Sequence, residues 1–111
     1  MKTSEILTKA RDLIADPARW TQGTAARDAN QEITEPESEG AVCWCSMGAV
    51  MKVEGFANYI RRERAYDELC DAADALDSAS AGLSDYNDTH THAEVMTMFD
   101  TAIATAQARG D

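Results

Sequence analysis

Apolar residues recur at intervals of three and four along three stretches of this chain, and that spacing constrains its fold more than any other feature. It is the spacing of an α-helix with one buried face. In the first stretch, predicted as a helix from Ser4 to Ala15, the apolar residues are Ile6, Leu7, Ala10, Leu13 and Ile14. In the second, from Ala57 to Asp77, they are Tyr59, Ile60, Tyr66, Leu69, Cys70, Ala73 and Leu76. In the last, which follows Thr91, they are Val95, Met98, Phe99, Ala102, Ile103 and Ala106.

Polar residues indicate where two of these helices begin. Thr3 or Ser4 can cap the first helix, and Asp16-Pro17 can stop it and start a single turn. Thr91 and Glu94 have the spacing of a capping box, in which each side chain accepts a hydrogen bond from the other residue's amide. The last helix is therefore expected to start at this pair.

The middle of the chain, from Thr24 to Val53, lacks the regular apolar spacing of the other segments. Nearly every residue from Ala41 to Val53 is apolar or small, which predicts an enclosed helix from about Glu39 to Val53. Gly48 inside it predicts that another helix approaches closely, because glycine leaves room for a neighbouring backbone. The polar segment Thr24 to Gly40 has turn formers at its centre and fits either a small hairpin or a flexible loop.

Two further segments allow simple expectations. Ser78 to Asp88 is rich in turn residues and is predicted to be a loop. The basic residues from Arg62 to Arg64 leave open a break of the second stretch into two shorter helices. The chain is too short for more than one core, so a single domain spanning residues 1–111 is expected.

Composition supports a mainly helical fold. Alanine and leucine outnumber valine and isoleucine, and only 6% of residues are aromatic. No apolar run reaches the roughly 18 residues of a membrane span. The chain has three cysteines, and a single residue separates two of them. This pattern does not suggest a disulfide framework, so the reducing cytoplasm is the expected location. The predicted fold is all-α: a compact bundle of four or five helices, with a small β-hairpin or loop between the first two.

Charge restricts the classes of partner. The chain carries 20 acidic and 10 basic residues, a net charge of -10. From Ala65 to Asp111 the only base is Arg109, against ten acids. Such a field repels nucleic acid and acidic lipid and attracts cationic surfaces. Direct binding to nucleic acid or to a membrane is therefore not expected, whereas a basic protein surface is a suitable partner.

Cys43, Cys45, His90 and His92 raise the question of a zinc or thiol site. Within the predicted helix, residues two apart point about 200° from each other, so both thiolates cannot reach one ion. Structural zinc sites mostly separate paired cysteines by two or more residues. We therefore predict that the cysteines are buried as small apolar side chains, with no metal, no cofactor and no catalytic residue. A small metal- or thiol-dependent enzyme using these four residues is the alternative.

The remaining feature is a group of acidic residues in and after the predicted helix from Ala57 to Asp77, which is the third helix in chain order. Five of them would span about 15 Å at 1.5 Å per residue. Acids of the following segment could extend the same surface and occupy a cationic groove built for nucleic acid. The partner-binding residues predicted on this basis are Asp67, Glu68, Asp71, Asp74, Asp77, Asp85 and Asp88. The alternative is an ordinary solvated helix face.

Several short markers occur in order along most of the chain, and together they resemble a family of small uncharacterised helical proteins from actinobacteria and bacteriophages. The markers are Asp16-Pro17-x-x-Trp20-x-x-Gly23, Cys45-x-x-Gly48-Ala49, Asn87-Asp88, Thr91-His92-x-Glu94-Val95 and Phe99-Asp100-x-Ala102-Ile103. Cys43 lies outside this pattern. The resemblance implies a small helical fold and brings no catalytic residues.

The phage link implied by this resemblance favours one class of function. Small acidic proteins of mobile elements that lack catalytic motifs resemble anti-defence proteins, including CRISPR inhibitors, which bind a host complex stoichiometrically. The sequence therefore predicts a non-enzymatic inhibitor or adaptor that binds a basic surface of a nucleic-acid-guided defence complex. A homo-oligomeric structural module is a further alternative.

Overall fold

The fold is the helical bundle that the apolar spacing predicted. Of the two alternatives for the segment before the second main helix, a hairpin or a loop, a small antiparallel hairpin is present. The structure is a computed structural model that describes residues 1–55 and 59–111, without the side chains of residues 59–62. The described residues form five α-helices, two strands and one 3₁₀ turn. In chain order these are α1 (Thr3–Leu13), the turn Pro17–Arg19, β1 (Ala26–Asp28), β2 (Ala41–Trp44), α2 (Ser46–Glu54), α3 (Tyr59–Leu76), α4 (Leu83–Thr89) and α5 (His92–Ala108). None of the described helices is long and apolar enough to cross a membrane.

Helix α1 lies at the centre of the packing, in contact with α2, α3 and α5. The predicted apolar faces of α1 and α5 are the faces that are buried: Ile6, Leu7 and Ala10 from α1 meet Met98 and Phe99 from α5 in one core. All five of these side chains are fully inaccessible to solvent. Burying large apolar side chains in this way contributes about 1.5–3 kcal/mol each to folding.

The start of α1 differs from the prediction. Lys2, rather than Thr3 or Ser4, occupies the cap position, and both of those residues are buried in the first turn. Their amides bond instead to Asp111: Thr3 N donates to its side chain at 3.3 Å, and Ser4 N donates to its backbone oxygen at 2.7 Å. A residue 108 positions away thus satisfies helix-end donors that local side chains were expected to satisfy.

The stop after α1 is confirmed. Asp16 accepts a hydrogen bond from Ala18 N at 2.9 Å, and Pro17 holds the first position of the 3₁₀ turn. The chain then places Trp20 against the core and pairs it with Trp44 in an isolated parallel bridge. The turn therefore directs the chain from the end of α1 towards the hairpin.

The predicted helix from Glu39 to Val53 is wrong in its first half. Ala41–Trp44 is strand β2, and the helix begins only at Ser46. A short apolar run fits a buried strand as well as a buried helix, and only its neighbours decide between them. Here β1 pairs with one edge of β2, and Thr21 N donates to Trp44 O at 3.0 Å on the other.

The hairpin has the predicted turn but a different partner strand. Asp28 Oδ1 accepts hydrogen bonds from the amides of Asn30 and Glu32, which closes the turn at the expected place. β1 pairs in antiparallel register with β2, beyond the segment Thr24 to Gly40, with Arg27 opposite Cys43. The polar segment itself returns to β1 only through a single bridge, from Ile33.

One other expectation fails, and one alternative that the sequence left open is excluded. The segment Ser78 to Asp88, predicted as a loop, contains α4. Its buried residues Leu83, Tyr86 and Asn87 follow helical spacing, although the turn formers around them concealed it. Helix α3 runs without a break through Arg62 to Arg64, and its predicted start at Ala57 lies outside the described residues.

Gly48 meets a close neighbour, but that neighbour is the backbone of Ala25, just before β1, rather than another helix. A Cβ at Gly48 would lie 2.9 Å from the carbonyl carbon of Ala25 and closer still to its oxygen. The same oxygen accepts a hydrogen bond from Cys45 N at 3.1 Å, so it is held in place. Helix α2 therefore rests directly on the backbone that leads into β1.

We predict that Gly48→Ala destabilises the protein by about 3 kcal/mol, although the same change in an open helix is stabilising. The added methyl group would overlap a backbone carbonyl that cannot rotate away. Chemical denaturation measures the change in the free energy of unfolding. Gly40→Ala is the control, because a Cβ there has only Ser38 Oγ nearby, at 3.6 Å. Equal stability of the two variants would show that α2 can move away from Ala25.

Candidate functional site

Three of the seven predicted partner-binding acids share the outer face of α3. At 100° per residue, Asp67, Asp71 and Asp74 fall within an arc of about 60°. All three side chains are exposed. In the part of the chain whose side chains are described, none of them forms an ion pair. Their carboxylates are therefore open to a partner.

Glu68 is not open in this way. It lies about 100° around α3 from Asp67 and faces inward. Only 6% of the residue is exposed, and its carboxylate pairs with the Arg109 guanidinium beyond the end of α5. The hydrogen bond and the charge of Glu68 raise the pKa of Arg109. This ion pair links α3 to the C-terminal segment.

Asp77 also has an internal partner. Its Oδ2 lies 3.0 Å from His90 Nε2, and His90 Nδ1 lies 2.9 Å from Tyr86 O. The imidazole stacks on the Tyr86 ring with a centroid distance of 3.8 Å and an interplanar angle of 13°. Both nitrogens of His90 are thus occupied, and the contact joins the end of α3 to the end of α4.

Asp85 and Asp88 bond to backbone and amide donors. Asp85 Oδ2 accepts from Ala81 N at 3.0 Å, which organises the turn before α4. Asp88 Oδ1 accepts from Gly23 N and from Asn87 Nδ2, each at 3.0 Å. Asp88 remains exposed, so it combines an internal role with an accessible carboxylate.

Asn87 is the most connected polar side chain in the described structure, and this role of its side-chain amide was not predicted from the sequence. Its Oδ1 accepts from Trp20 Nε1 at 2.9 Å, from Ser46 N at 3.0 Å and from Ser46 Oγ at 2.7 Å. Its Nδ2 donates to Thr21 O at 3.1 Å. Asn87 is 1% exposed. Its place in the Asn87-Asp88 marker was the only signal of importance that the sequence offered.

The two neighbouring cysteines are buried as predicted, but for a different geometric reason. Cys43 lies on β2 and Cys45 caps α2, so the assumption that both lie within one helix is wrong. Cys43 Sγ is 4.0 Å from Arg27 O, and Cys45 Sγ accepts a hydrogen bond from Gly48 N at 3.3 Å. The two sulfur atoms therefore have separate partners.

Cys45 lies at the start of a helix, a position that can lower the pKa of a thiol. Burial raises the pKa of its thiol, and the hydrogen bonds from the Gly48 and Met47 amides offset only part of that rise. Because a thiol is nucleophilic only when it is ionised, Cys45 is poorly reactive at neutral pH despite its position.

The two histidines bind backbone rather than cysteine. His92 Nε2 lies 2.7 Å from Ile14 O, and its ring meets the edge of Trp20 at 5.6 Å between centroids. His90 contacts Asp77 and Tyr86 as described. Across residues 1–55 and the described side chains after residue 62, no three His, Cys, Asp or Glu side chains are grouped so as to hold a metal ion.

We predict that Asn87→Ala costs about 3 kcal/mol of stability, because the Trp20 indole and both Ser46 donors lose a buried acceptor. Thermal and chemical denaturation measure the loss. Asn30→Ala is the matched control, since the hydrogen bond at Asn30 uses its backbone amide. If the two variants unfolded at the same denaturant concentration, Asn87 would not be a central connection.

Comparison with known proteins identifies the family of this chain. Residues 1–105 match a family of unknown function, DUF6197. No curated protein matches the chain. No solved structure matches it either. The match covers almost the whole chain, including every marker on which the sequence resemblance rests, and the chain is a member of the DUF6197 family.

Proposed function

We propose that this protein is a non-enzymatic binding protein that uses the outer face of α3 to occupy a basic surface of another protein. The observation that supports the proposal is the division of its acids. Four of the seven acids predicted to bind a partner have internal contacts, whereas Asp67, Asp71 and Asp74 project from one face without an ion pair in the described part of the chain. Their charge is available to an external cation.

The spacing of these charges suits a surface that binds a nucleic-acid strand. At 1.5 Å per residue, Asp71 lies about 6 Å from Asp67 along the axis, and Asp74 lies about 4.5 Å further on. Phosphates of a single strand are about 3.4 Å apart along the helix axis. The charge density along this face is therefore lower than that of duplex DNA and closer to that of a single strand. A groove of lysines and arginines built for a strand could pair with it.

Long-range attraction would support such binding. The net charge of -10 gives the whole molecule a negative field, which steers cationic surfaces towards it before contact. Charge complementarity increases the association rate more than it increases affinity, and salt screens it. The interaction is therefore expected to weaken as salt rises.

The proposed partner is a nucleic-acid-guided defence complex of a host bacterium, and the protein would be its stoichiometric inhibitor in the cytoplasm. Two features support this choice. The first is the acidic face, which matches the cationic grooves that such complexes use to hold nucleic acid. The second is the resemblance of the sequence markers to proteins of bacteriophages.

Among the described side chains, neither the buried cysteines nor the backbone-bound histidines form an arrangement that favours an enzyme.

The first experiment identifies the partner. The tagged protein is used as bait in lysates of bacteria that carry diverse defence systems, and captured proteins are identified by mass spectrometry. The proposal expects a nucleic-acid-binding complex that is released by added nucleic acid. Capture of a partner with an acidic binding surface would contradict it.

The second experiment tests the face itself. We predict that the triple variant Asp67→Lys, Asp71→Lys, Asp74→Lys binds the captured complex at least about tenfold more weakly and with a flatter dependence on salt, because reversed charge now repels the partner. Circular dichroism should show an unchanged fold, since all three residues are exposed. Titration at several salt concentrations measures both effects.

A control variant separates this face from net charge. Asp12→Lys, Glu35→Lys and Glu39→Lys change the net charge by the same amount at exposed positions outside α3. This variant should retain most of the affinity. Equal weakening of both triple variants would mean that overall charge, rather than the α3 face, governs binding.

A further inference from the structure

A small cavity opens beside the start of α2, and none of its described lining residues lies on α3. Its volume is about 190 Å³, and its walls come from the segment before β1, the first turn of α2 and helix α4. Drug-sized ligands occupy pockets of roughly 300–1,000 Å³, so this cavity suits a molecule of only a few heavy atoms.

The mouth of the cavity supplies hydrogen-bond acceptors and one negative charge. Gly23, Ser84 and Asp88 line it and are exposed. Asp88 Oδ1 is engaged by the Gly23 and Asn87 donors, whereas its Oδ2 accepts no hydrogen bond from the described residues. The Asp88 carboxylate is therefore fixed in orientation by one oxygen and keeps the other for a ligand.

The floor of the cavity is apolar and polarisable. Cys45 lies there with 7% of its surface exposed, flanked by Ala25 and Met47, which are half-buried. The Cys45 sulfur accepts a hydrogen bond from Gly48 N, but its S–H group has no acceptor among the described residues. A neutral thiol and a thioether favour contact with a hydrocarbon chain over contact with water.

We infer that this cavity binds a small primary alkylammonium ion, with its alkyl chain on the Cys45 floor and its ammonium group at Asp88. The arrangement fits a free amine rather than a lysine of a partner protein, because a lysine side chain would enter with its charge first and leave that charge on the apolar floor. The negative field of the molecule would also concentrate cations at the mouth. This site is independent of the function proposed for the α3 face.

The probe is n-butylammonium chloride, titrated into the ¹⁵N-labelled protein at constant ionic strength maintained with sodium chloride. Saturable shifts of the Gly23 and Ser84 amide signals are expected, with a dissociation constant on the order of millimolar because Asp88 is solvated. n-Butanol and pentanoate, which carry the same butyl chain without the positive charge, should shift these signals only weakly. Saturation by n-butanol at the same concentrations would overturn the role of Asp88.

Two variants locate the ion. Asp88→Asn keeps an oxygen for Gly23 N but removes the charge, and it should weaken binding by about tenfold. Ser84→Phe, on the exposed rim, should block the mouth and abolish the shifts while the rest of the spectrum stays unchanged. Unchanged affinity in Ser84→Phe would place the ion elsewhere, and the absence of saturable shifts in the native protein would exclude the site. The α3 triple variant should still give saturable shifts of the Gly23 and Ser84 signals, with an affinity lowered only by its weaker negative field. Failure of one proposal is therefore distinguishable from failure of the other.

Discussion

The side-chain amide of Asn87 joins parts of the chain that are far apart in sequence. Its oxygen faces the Trp20 indole and the first residue of α2, and its nitrogen faces Thr21 O, so one buried group connects α4 to the linker after α1 and to α2. A buried amide is costly unless its hydrogen-bonding groups are satisfied. Here the partners surround it, and the cost of separating them restricts how α4 can dock.

A second constraint operates through the backbone beside this network. Gly48 lets α2 rest on the carbonyl of Ala25, and the amide of Cys45 bonds to that same oxygen. The segment that leads into the hairpin and α2 are thereby joined by a direct backbone contact. Trp20, Gly48 and Asn87, which belong to the short markers of the sequence resemblance, therefore occupy positions where the structure needs a particular shape or hydrogen bond. Their presence in the sequence pattern has a structural explanation that is independent of any activity.

The position of each acid around its helix decides what it can do. On α3, a step of one residue from Asp67 to Glu68 turns the side chain by about 100°, from solvent to the interior. The inner carboxylate is paired with Arg109, while the outer ones remain solvated. Net charge thus describes the long-range field of the protein, but only the helical angle distinguishes a structural acid from one that a partner can reach. The same distinction separates the two oxygens of Asp88.

Local sequence was enough to predict the helices with regular apolar spacing, the stop at Asp16-Pro17 and the cap at Thr91, because these depend on residues within a few positions of one another. It also predicted the burial of Cys43 and Cys45, and a hairpin was one of its two alternatives for the segment between the first two main helices. Tertiary structure alone decided that Ala41–Trp44 is a strand, since a short apolar run takes the form that its neighbours can pair with. It likewise decided that Asp111 completes the start of α1 and that Glu68 pairs with Arg109. These contacts join residues many positions apart, and no local spacing encodes them.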